Sequence, residues 1–234
     1  MERKQSMFGK LLDYSQNGQI VTLCYEKANA YLHVLTDTVI NVFVPFDTKE
    51  HLSKAIEGNK EEKVSFVIEK TEGYHEKDYV SHKDGYEDER GVCRVMLTTP
   101  SLVCRIYDDF LLDFYDKNGN LLCADYRGDR IPRFSLPESF IEFIRKEGHE
   151  VDLTGSIDYP VQCVKVLDDG DCIYGLGDKT GPLNKRSYEY ENWNSDIPTP
   201  HEDSFKLLYK SMPFFITLKE KGVYGIFYDK TFKS

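Results

Sequence analysis

Short runs of β-branched and aromatic residues, each bounded by turn residues, follow one another along most of the sequence. Apolar and polar residues alternate within these runs, and a period of two is typical of strands that bury one face. About a dozen such runs in a chain of 234 residues are too many for one flat sheet. The pattern therefore predicts an all-β fold, a two-sheet antiparallel β-sandwich. The predicted strands are residues 19–25, 30–35, 38–44, 63–69, 92–98, 101–107, 109–126 (as a hairpin), 160–167, 171–177, 185–191, 212–218 and 222–229.

The hairpin over residues 109–126 is the clearest local prediction. Asn118 and Gly119 lie between two apolar runs, and this dipeptide is typical of a type I′ turn. We therefore expect the two runs to pair directly as neighbouring antiparallel strands.

Three further segments interrupt the strand pattern. Residues 47–58 fit a short helix with an acidic N-cap, and residues 139–148 fit a short helix or a bulged strand equally well. Residues 70–91 are polar and charged and predict a long surface excursion. No repeat or linker divides the sequence, so residues 1–234 are expected to form a single domain.

The charge balance argues against nucleic acid or an anionic membrane as the main partner. The chain has 40 acidic and 30 basic residues and a formal net charge of −10, whereas nucleic acids and anionic membranes both bind cationic patches. No apolar run approaches the ~18 residues of a transmembrane helix, and the first residues lack the apolar region of a secretory signal. The six cysteines are scattered without a CxxC pair, which predicts reduced, mostly buried thiols and a cytoplasmic location.

Motifs that would bind a cofactor or a metal are missing or incomplete. The glycine-rich segment 175–181 follows a strand, but no helix follows it to bind a phosphate, so we interpret it as a tight strand exit. His75 and His82 lie among acidic residues, and 84–89 is rich in carboxylates without the spacing of an EF-hand loop. We interpret both as a charged loop, and we expect no cofactor and no metal.

One segment, residues 185–211, combines residues that suit sugar binding. It contains the only tryptophan, Trp193, followed closely by Asp196 and then by Pro198. An aromatic ring covers the apolar face of a pyranose, and a carboxylate accepts hydrogen bonds from its hydroxyls. A structural interpretation is also open, in which Trp193 anchors the loop and Asp196 caps a turn before Pro198.

Three sequence blocks, 173–196, 208–216 and 222–231, together resemble glycoside hydrolase family 31, the α-glucosidase and α-xylosidase family. They resemble the part of those enzymes that closes the N-terminal sandwich before the catalytic barrel. The sequence departs from the family at Asp178, where glutamate is usual, and at Ser187, where glycine is frequent.

The resemblance implies a galactose mutarotase-like supersandwich and a retaining α-glucosidase acting on α-glucoside oligosaccharides. Family members use two aspartates of a (β/α)8 barrel, which needs about 250 residues and is expected downstream of this domain. No catalytic residue is therefore expected within 1–234, and the chain alone is expected to be inactive. The resemblance places Asp196 against the sugar and Trp193 and Ile197 beside it, on the aglycone side.

Two other functions remain open on the sequence. A stand-alone carbohydrate-binding sandwich would bind sugar by itself through Trp193 and other exposed aromatic residues. A complete mutarotase-like enzyme would need a histidine and a carboxylate as acid and base, and no such pair is placed distinctively. The sequence does not distinguish oligomeric states.

Overall fold

The computed structural model describes residues 8–45, 63–71, 91–127, 146, 163–203 and 205–229. Nearly all regular structure in these ranges is β-strand, and no helix in them is long and apolar enough to cross a membrane. The strands are β1 (Leu11–Asn17), β2 (Ile20–Tyr25), β3 (Asn29–Val34), β4 (Ile40–Phe43), β5 (Val67–Lys70), β6 (Cys93–Thr98), β7 (Leu102–Tyr107), β8 (Leu112–Asp116), β9 (Leu121–Ala124), β10 (Cys172–Gly177), β11 (Ser211–Lys219) and β12 (Gly222–Phe227), with one 3-10 turn at Asp108–Phe110.

The strands form three sheets in which every neighbouring pair is antiparallel. Strands β1 to β4 form one sheet in sequence order, β5 to β9 a second, and β10 to β12 a third. This arrangement confirms the all-β antiparallel fold. The three-stranded sheet is an addition to the two predicted sheets, and the segments that resemble the glycosidase family lie in this sheet and in the loop between β10 and β11.

The hydrophobic core lies between the two larger sheets. Alternate residues of β2 and β6 are buried, as the period of two requires, and Leu23 and Leu97 are both 0% exposed. Burial of one such side chain contributes about 1.5–3 kcal/mol. The buried cluster that joins the sheets comprises Leu11, Val21, Leu23, Tyr25, Ala30, Leu32, Val34, Val95, Leu97, Cys104, Ile106 and Leu112.

Most predicted strands are confirmed, and the exceptions have physical reasons. Residues 185–191 were wrongly predicted as a strand: the N–H of Tyr188 donates to the Lys185 carbonyl in a turn, and Ser187 has a φ of 68°. Of the predicted strand 160–167, the described part forms a single bridge, between Lys165 and Asp125. Strand β1 was not predicted, because most of its residues are exposed and hide the alternation.

Several sequence predictions lie outside the described residues. They comprise the segment 47–58, the segment 139–148 apart from Lys146, and nearly all of the charged excursion 70–91 with its histidines and carboxylates. The cysteines are described: all six are free, and Cys93, Cys104 and Cys123 are buried.

The predicted hairpin is formed by β8 and β9, but the type I′ turn is wrong. Gly119 has a φ of 80°, whereas Asn118 is not among the residues of positive φ. The N–H of Gly119 donates to the Asp116 carbonyl at 3.2 Å, and the Asp116 N–H donates to the Asn120 carbonyl at 3.0 Å. These bonds define a three-residue loop, a type I turn closed by a glycine bulge.

The glycine-rich segment is a close-packed strand exit, as predicted. A Cβ atom on Gly175 would lie 2.7 Å from the Phe214 carbonyl oxygen, and one on Gly177 would lie 2.5 Å from the Lys210 carbonyl oxygen. Both glycines also have positive φ. The backbones of β10 and β11 therefore approach so closely that a side chain at either position would force them apart.

Buried ion pairs bind the two ends of the connection between β9 and β10 to the sandwich. The Arg127 guanidinium donates two hydrogen bonds to the fully buried Asp113 carboxylate, at 2.7 and 2.8 Å. The Lys165 Nζ lies 2.6 Å from Asp125 Oδ1, and the N–H of Leu112 donates to the other oxygen of that carboxylate at 2.8 Å. Because Lys165 precedes β10 in the chain, these contacts help to fix where the third sheet begins.

Candidate functional site

The candidate site is the long loop 178–210, which connects β10 with β11 and contains Trp193, Asp196 and Ile197. Its two ends meet, because the N–H of Asp178 donates to the Lys210 carbonyl at 2.8 Å. Asp178 itself is exposed, and this hydrogen bond uses its main chain. The aspartate found where the family usually has glutamate is therefore compatible with a closed loop.

Two lysines tie the first half of the loop together from inside. Lys185 is buried; its Nζ donates to the Thr180 carbonyl at 3.0 Å and lies 5.3 Å from the centre of the Tyr190 ring. The Lys179 Nζ donates to the Glu191 carbonyl. Desolvation lowers the pKa of Lys179, since burial disfavours its charged form. Both cations are thus used as cross-links to main-chain carbonyls.

A further pair of bonds joins the first half of the loop to the second. The Thr180 Oγ1 donates to the Phe205 carbonyl at 2.7 Å, and the N–H of Glu191 donates to the Lys206 carbonyl at 3.0 Å. The loop is consequently a folded structure with its own cross-links, although Leu208 is its only fully apolar residue that is buried in the described part.

Ser187 occupies a backbone conformation that glycine favours. Its φ of 68° lies in the left-handed region, which is unfavourable for a residue with a Cβ atom. The backbone therefore retains the conformation suited to the glycine that is frequent here in the family, in spite of the serine.

Asparagine side chains fasten the tip of the loop, residues 192–197, to the start of β11. The Asn194 Oδ1 accepts a hydrogen bond from the Ser211 N–H at 2.7 Å. The Asn192 Oδ1 accepts one from the Ser211 hydroxyl at 3.1 Å. Both amide oxygens are thus used to hold the main chain of the tip in place.

Main-chain groups fasten the second half of the tip. The N–H of Ser195 donates to the carbonyl of the buried Leu208 at 3.0 Å. The carbonyl of Ile197 accepts hydrogen bonds from the Tyr209 hydroxyl and, at 3.2 Å, from His201 Nε2. The contributions of Tyr209 and His201 were missed in the sequence, since a hydroxyl or imidazole bond to a distant carbonyl leaves no local pattern.

The side chains of Trp193 and Asp196 do not fasten the tip in this way. Trp193 is 49% exposed, so it is not a core anchor. Asp196 is exposed, and its carboxylate makes no hydrogen bond or ion pair with the described residues, so the turn cap considered above is not formed among them. Ile197 is half-buried beside it. The scaffold therefore presents one aromatic ring and one carboxylate from a fixed main chain.

The comparison with protein families identifies this chain. A model of the glycosyl hydrolase 31 N-terminal galactose mutarotase-like domain matches residues 29–234, which include every strand from β3 to β12 and the whole loop. The chain belongs to this family, and the resemblance seen in the sequence is confirmed.

Individual relatives agree with that assignment. The chain is 42% identical over 125 residues, 53% of its length, to alpha-glucosidase 2 of Bacillus thermoamyloliquefaciens. A GH31 dextranase from Flavobacterium johnsoniae, solved with isomaltotriose, shares its fold with a TM-score of 0.55 and 21% identity over 92% of this chain. The cycloalternan-forming enzyme from Listeria monocytogenes, solved with a pentasaccharide substrate, gives 0.53 and 13% over 90%.

The relatives are much longer than this chain. It spans 13% of the Bacillus enzyme, 22% of the dextranase and 16% of the cycloalternan-forming enzyme. The two solved structures show the fold, and the matched region is the N-terminal sandwich domain of multidomain glycoside hydrolases.

Proposed function

We propose that this chain is the non-catalytic N-terminal domain of a retaining α-glucosidase, and that its 178–210 loop forms one wall of the substrate site. The relative with 42% identity carries the name alpha-glucosidase 2, and two structural relatives were solved with oligosaccharides, one with isomaltotriose and one with a pentasaccharide substrate. The observation that carries the proposal is the tip of the loop, in which the main chain is fastened while Asp196 and Trp193 face outward.

The chemistry of these two side chains suits a sugar. The Asp196 carboxylate has two oxygens, and it can accept hydrogen bonds from vicinal hydroxyls without giving up an existing partner among the described residues. The half-exposed Trp193 indole can cover an apolar face of a neighbouring ring, with Ile197 beside it on the aglycone side.

The reaction itself is assigned to residues outside this chain. In the proposed enzyme, two aspartates of a (β/α)8 barrel perform the retaining chemistry, one as nucleophile and one as general acid and then base. A wall residue that binds a hydroxyl changes the choice of substrate more than it changes the chemistry. Asp196 is accordingly a substrate-binding residue, and no residue of 1–234 is proposed as catalytic.

The outer face of the third sheet is a further argument that a catalytic domain is attached to this one. Alternate residues of β11 and β12 turn large apolar side chains outward, and Phe214 lies opposite Phe227 while Leu218 lies opposite Val223. A contiguous apolar face of this kind marks a surface that another structure covers. Its side chains, exposed by 38–57%, are Met212, Phe214, Ile216, Leu218, Val223 and Phe227.

The proposal is tested with Asp196→Ala in the full-length enzyme. Loss of a hydrogen bond to a charged group should raise KM for isomaltotriose about 10- to 100-fold, with kcat changed less than about threefold. Asp203→Ala removes another exposed carboxylate of the same loop and should leave both constants unchanged. Equal behaviour of the two variants would contradict a substrate-wall role for Asp196.

The alternative, a stand-alone sugar-binding module, is distinguished by calorimetry on the 234-residue chain. Because one wall supplies only part of a site, we expect no heat of binding with millimolar isomaltotriose or maltotriose. Saturable binding that disappears in Trp193→Ala would favour the module instead. A sizing column provides a second test, since the uncovered apolar face should cause the isolated chain to self-associate.

A further inference from the structure

The Ile197 carbonyl has an unusual pair of hydrogen-bond donors for an exposed segment. It accepts one bond from the Tyr209 hydroxyl and one from His201 Nε2, at 3.2 Å. The two donors also contact each other, with 3.4 Å between Nε2 and Oη and 5.4 Å between the ring centres. Since a carbonyl oxygen only accepts, His201 donates this bond in the tautomer that carries a hydrogen on Nε2.

These bonds restrict the main chain on the far side of Asp196. The N–H of Ser195, on the near side, is already bonded to the Leu208 carbonyl at 3.0 Å. Pro198 restricts Ile197 to extended conformations. With the carbonyl of Ile197 held as well, Asp196 lies between two fixed points, and the main chain sets the direction in which its side chain leaves the loop.

Both donors are poor candidates for a purely stabilising role. Tyr209 is 46% exposed and His201 is exposed as well, so neither fills a cavity in the core. We therefore expect the fold to form without these two side chains, whereas the Ile197 peptide would lose the bonds that orient it.

We propose that Tyr209 and His201 are positioning residues that orient Asp196 toward the substrate by holding the Ile197 carbonyl. This inference rests on the proposed function and adds two residues to it. It predicts that these side chains affect substrate binding only through Asp196 and not by contacting the sugar themselves.

The test uses the full-length enzyme with isomaltotriose. Tyr209→Phe removes one hydroxyl and retains the ring, and it should raise KM about 3- to 10-fold with kcat unchanged, the range expected for one hydrogen bond. Tyr188→Phe is the matched control, because Tyr188 lies in the same loop, is 50% exposed, and makes no hydroxyl hydrogen bond in the described part of the chain. His201→Leu should resemble Tyr209→Phe, and His201→Gln, which restores an N–H donor, should return KM toward the wild-type value.

A double-mutant cycle separates positioning from a general effect on the fold. In an Asp196→Ala background, Tyr209→Phe should cause no additional rise in KM. An equal rise in both backgrounds, or a Tyr209→Phe enzyme that behaves like Tyr188→Phe, would overturn the positioning role and leave the proposed function intact. If Asp196→Ala itself had no effect, the proposed function would fail first. Should Tyr209→Phe fold poorly, the two His201 variants decide the same question.

Discussion

The sandwich core and the 178–210 loop are both ordered, but different forces order them. In the core, alternate side chains such as Leu23 and Leu97 are completely removed from water between two sheets. In the loop, Lys179, Lys185 and Tyr209 donate hydrogen bonds to main-chain carbonyls, and little apolar area is buried. The core is thus stabilised mainly by the hydrophobic effect, and the loop by individual polar contacts.

The difference indicates what each region can tolerate. A core substitution removes packing that many neighbours share, so its cost is a large fraction of the total stability. A loop substitution removes one hydrogen bond between groups that water can also solvate, so it should alter the shape of the binding wall before it unfolds the domain. Substitutions at matched residues, one in the sandwich and one in the loop, would measure this difference.

The largest effect is expected at the buried ion pair. Arg127→Met removes the guanidinium that is bonded twice to the buried Asp113 carboxylate, and breaking a pair of this kind costs about 3–5 kcal/mol. Lys206→Met breaks the loop pair with Glu189, whose partners are 47% and 49% exposed, and should cost no more than about 1 kcal/mol. Urea denaturation monitored by circular dichroism measures both, and similar losses in the two variants would refute the distinction.

A leucine in each region provides the second comparison. Leu97→Ala opens a cavity at a position that is 0% exposed and should lower the free energy of unfolding by about 2–5 kcal/mol. Leu183→Ala changes a loop residue that is 78% exposed, and its effect should lie within about 0.5 kcal/mol. A strongly destabilised Leu183→Ala protein would show that the loop contains apolar packing comparable to that of the core.

His33 predicts a pH dependence that arises in the sandwich. It is 2% exposed, its Nδ1 has no hydrogen-bond partner among the described residues, and desolvation lowers its pKa below 6.5. The unfolded chain therefore binds the proton more readily, so stability should fall as the pH drops below 6.5, by at most about 1.4 kcal/mol per pH unit. Thermal unfolding of wild type and His33→Gln between pH 7.5 and 5.5 tests this; the variant should show the shallower slope, and parallel slopes would exclude His33 as the cause.

The smallest expected effect has opposite signs in the two regions. Ser187→Gly in the loop should stabilise by about 0.5–1 kcal/mol, because glycine accepts the φ of 68° without strain. Ser15→Gly in strand β1 should destabilise by about the same amount. Ser15 has no backbone strain for glycine to relieve, and glycine loses more backbone conformational entropy on folding. Differential scanning calorimetry would detect both shifts. A destabilised Ser187→Gly protein would contradict the strained serine.

The same difference explains which features could be predicted from the sequence. Strand β2 was predictable because Val21 and Leu23 alternate with less buried residues, and the two-residue period follows directly from burial. The similar alternation around Tyr188 and Tyr190 gave the false prediction of a strand over 185–191. There the two rings stack on each other, with 6.2 Å between their centres, and the segment forms no strand. A two-residue period indicates that alternate side chains are covered, but it does not show whether a sheet or a neighbouring side chain covers them.

The candidate site was only partly predictable. Trp193 and Asp196 were selected by residue type and by resemblance to the family, and whether they bind substrate remains a prediction. The contacts that support them join residues far apart in the sequence, such as Thr180 with Phe205 and Ile197 with Tyr209. No local pattern encodes a hydroxyl that meets a carbonyl 12 residues away, so these supporting residues required the structure.

The most direct test of the account is a crystal structure of the full-length enzyme with isomaltotriose bound. We predict that an Asp196 carboxylate oxygen lies within about 2.5–3.0 Å of a sugar hydroxyl, with the Ile197 carbonyl still bonded to Tyr209. A sugar bound in the catalytic barrel with the 178–210 loop far from it, and Asp196 facing solvent, would contradict the assignment of this domain to the substrate wall.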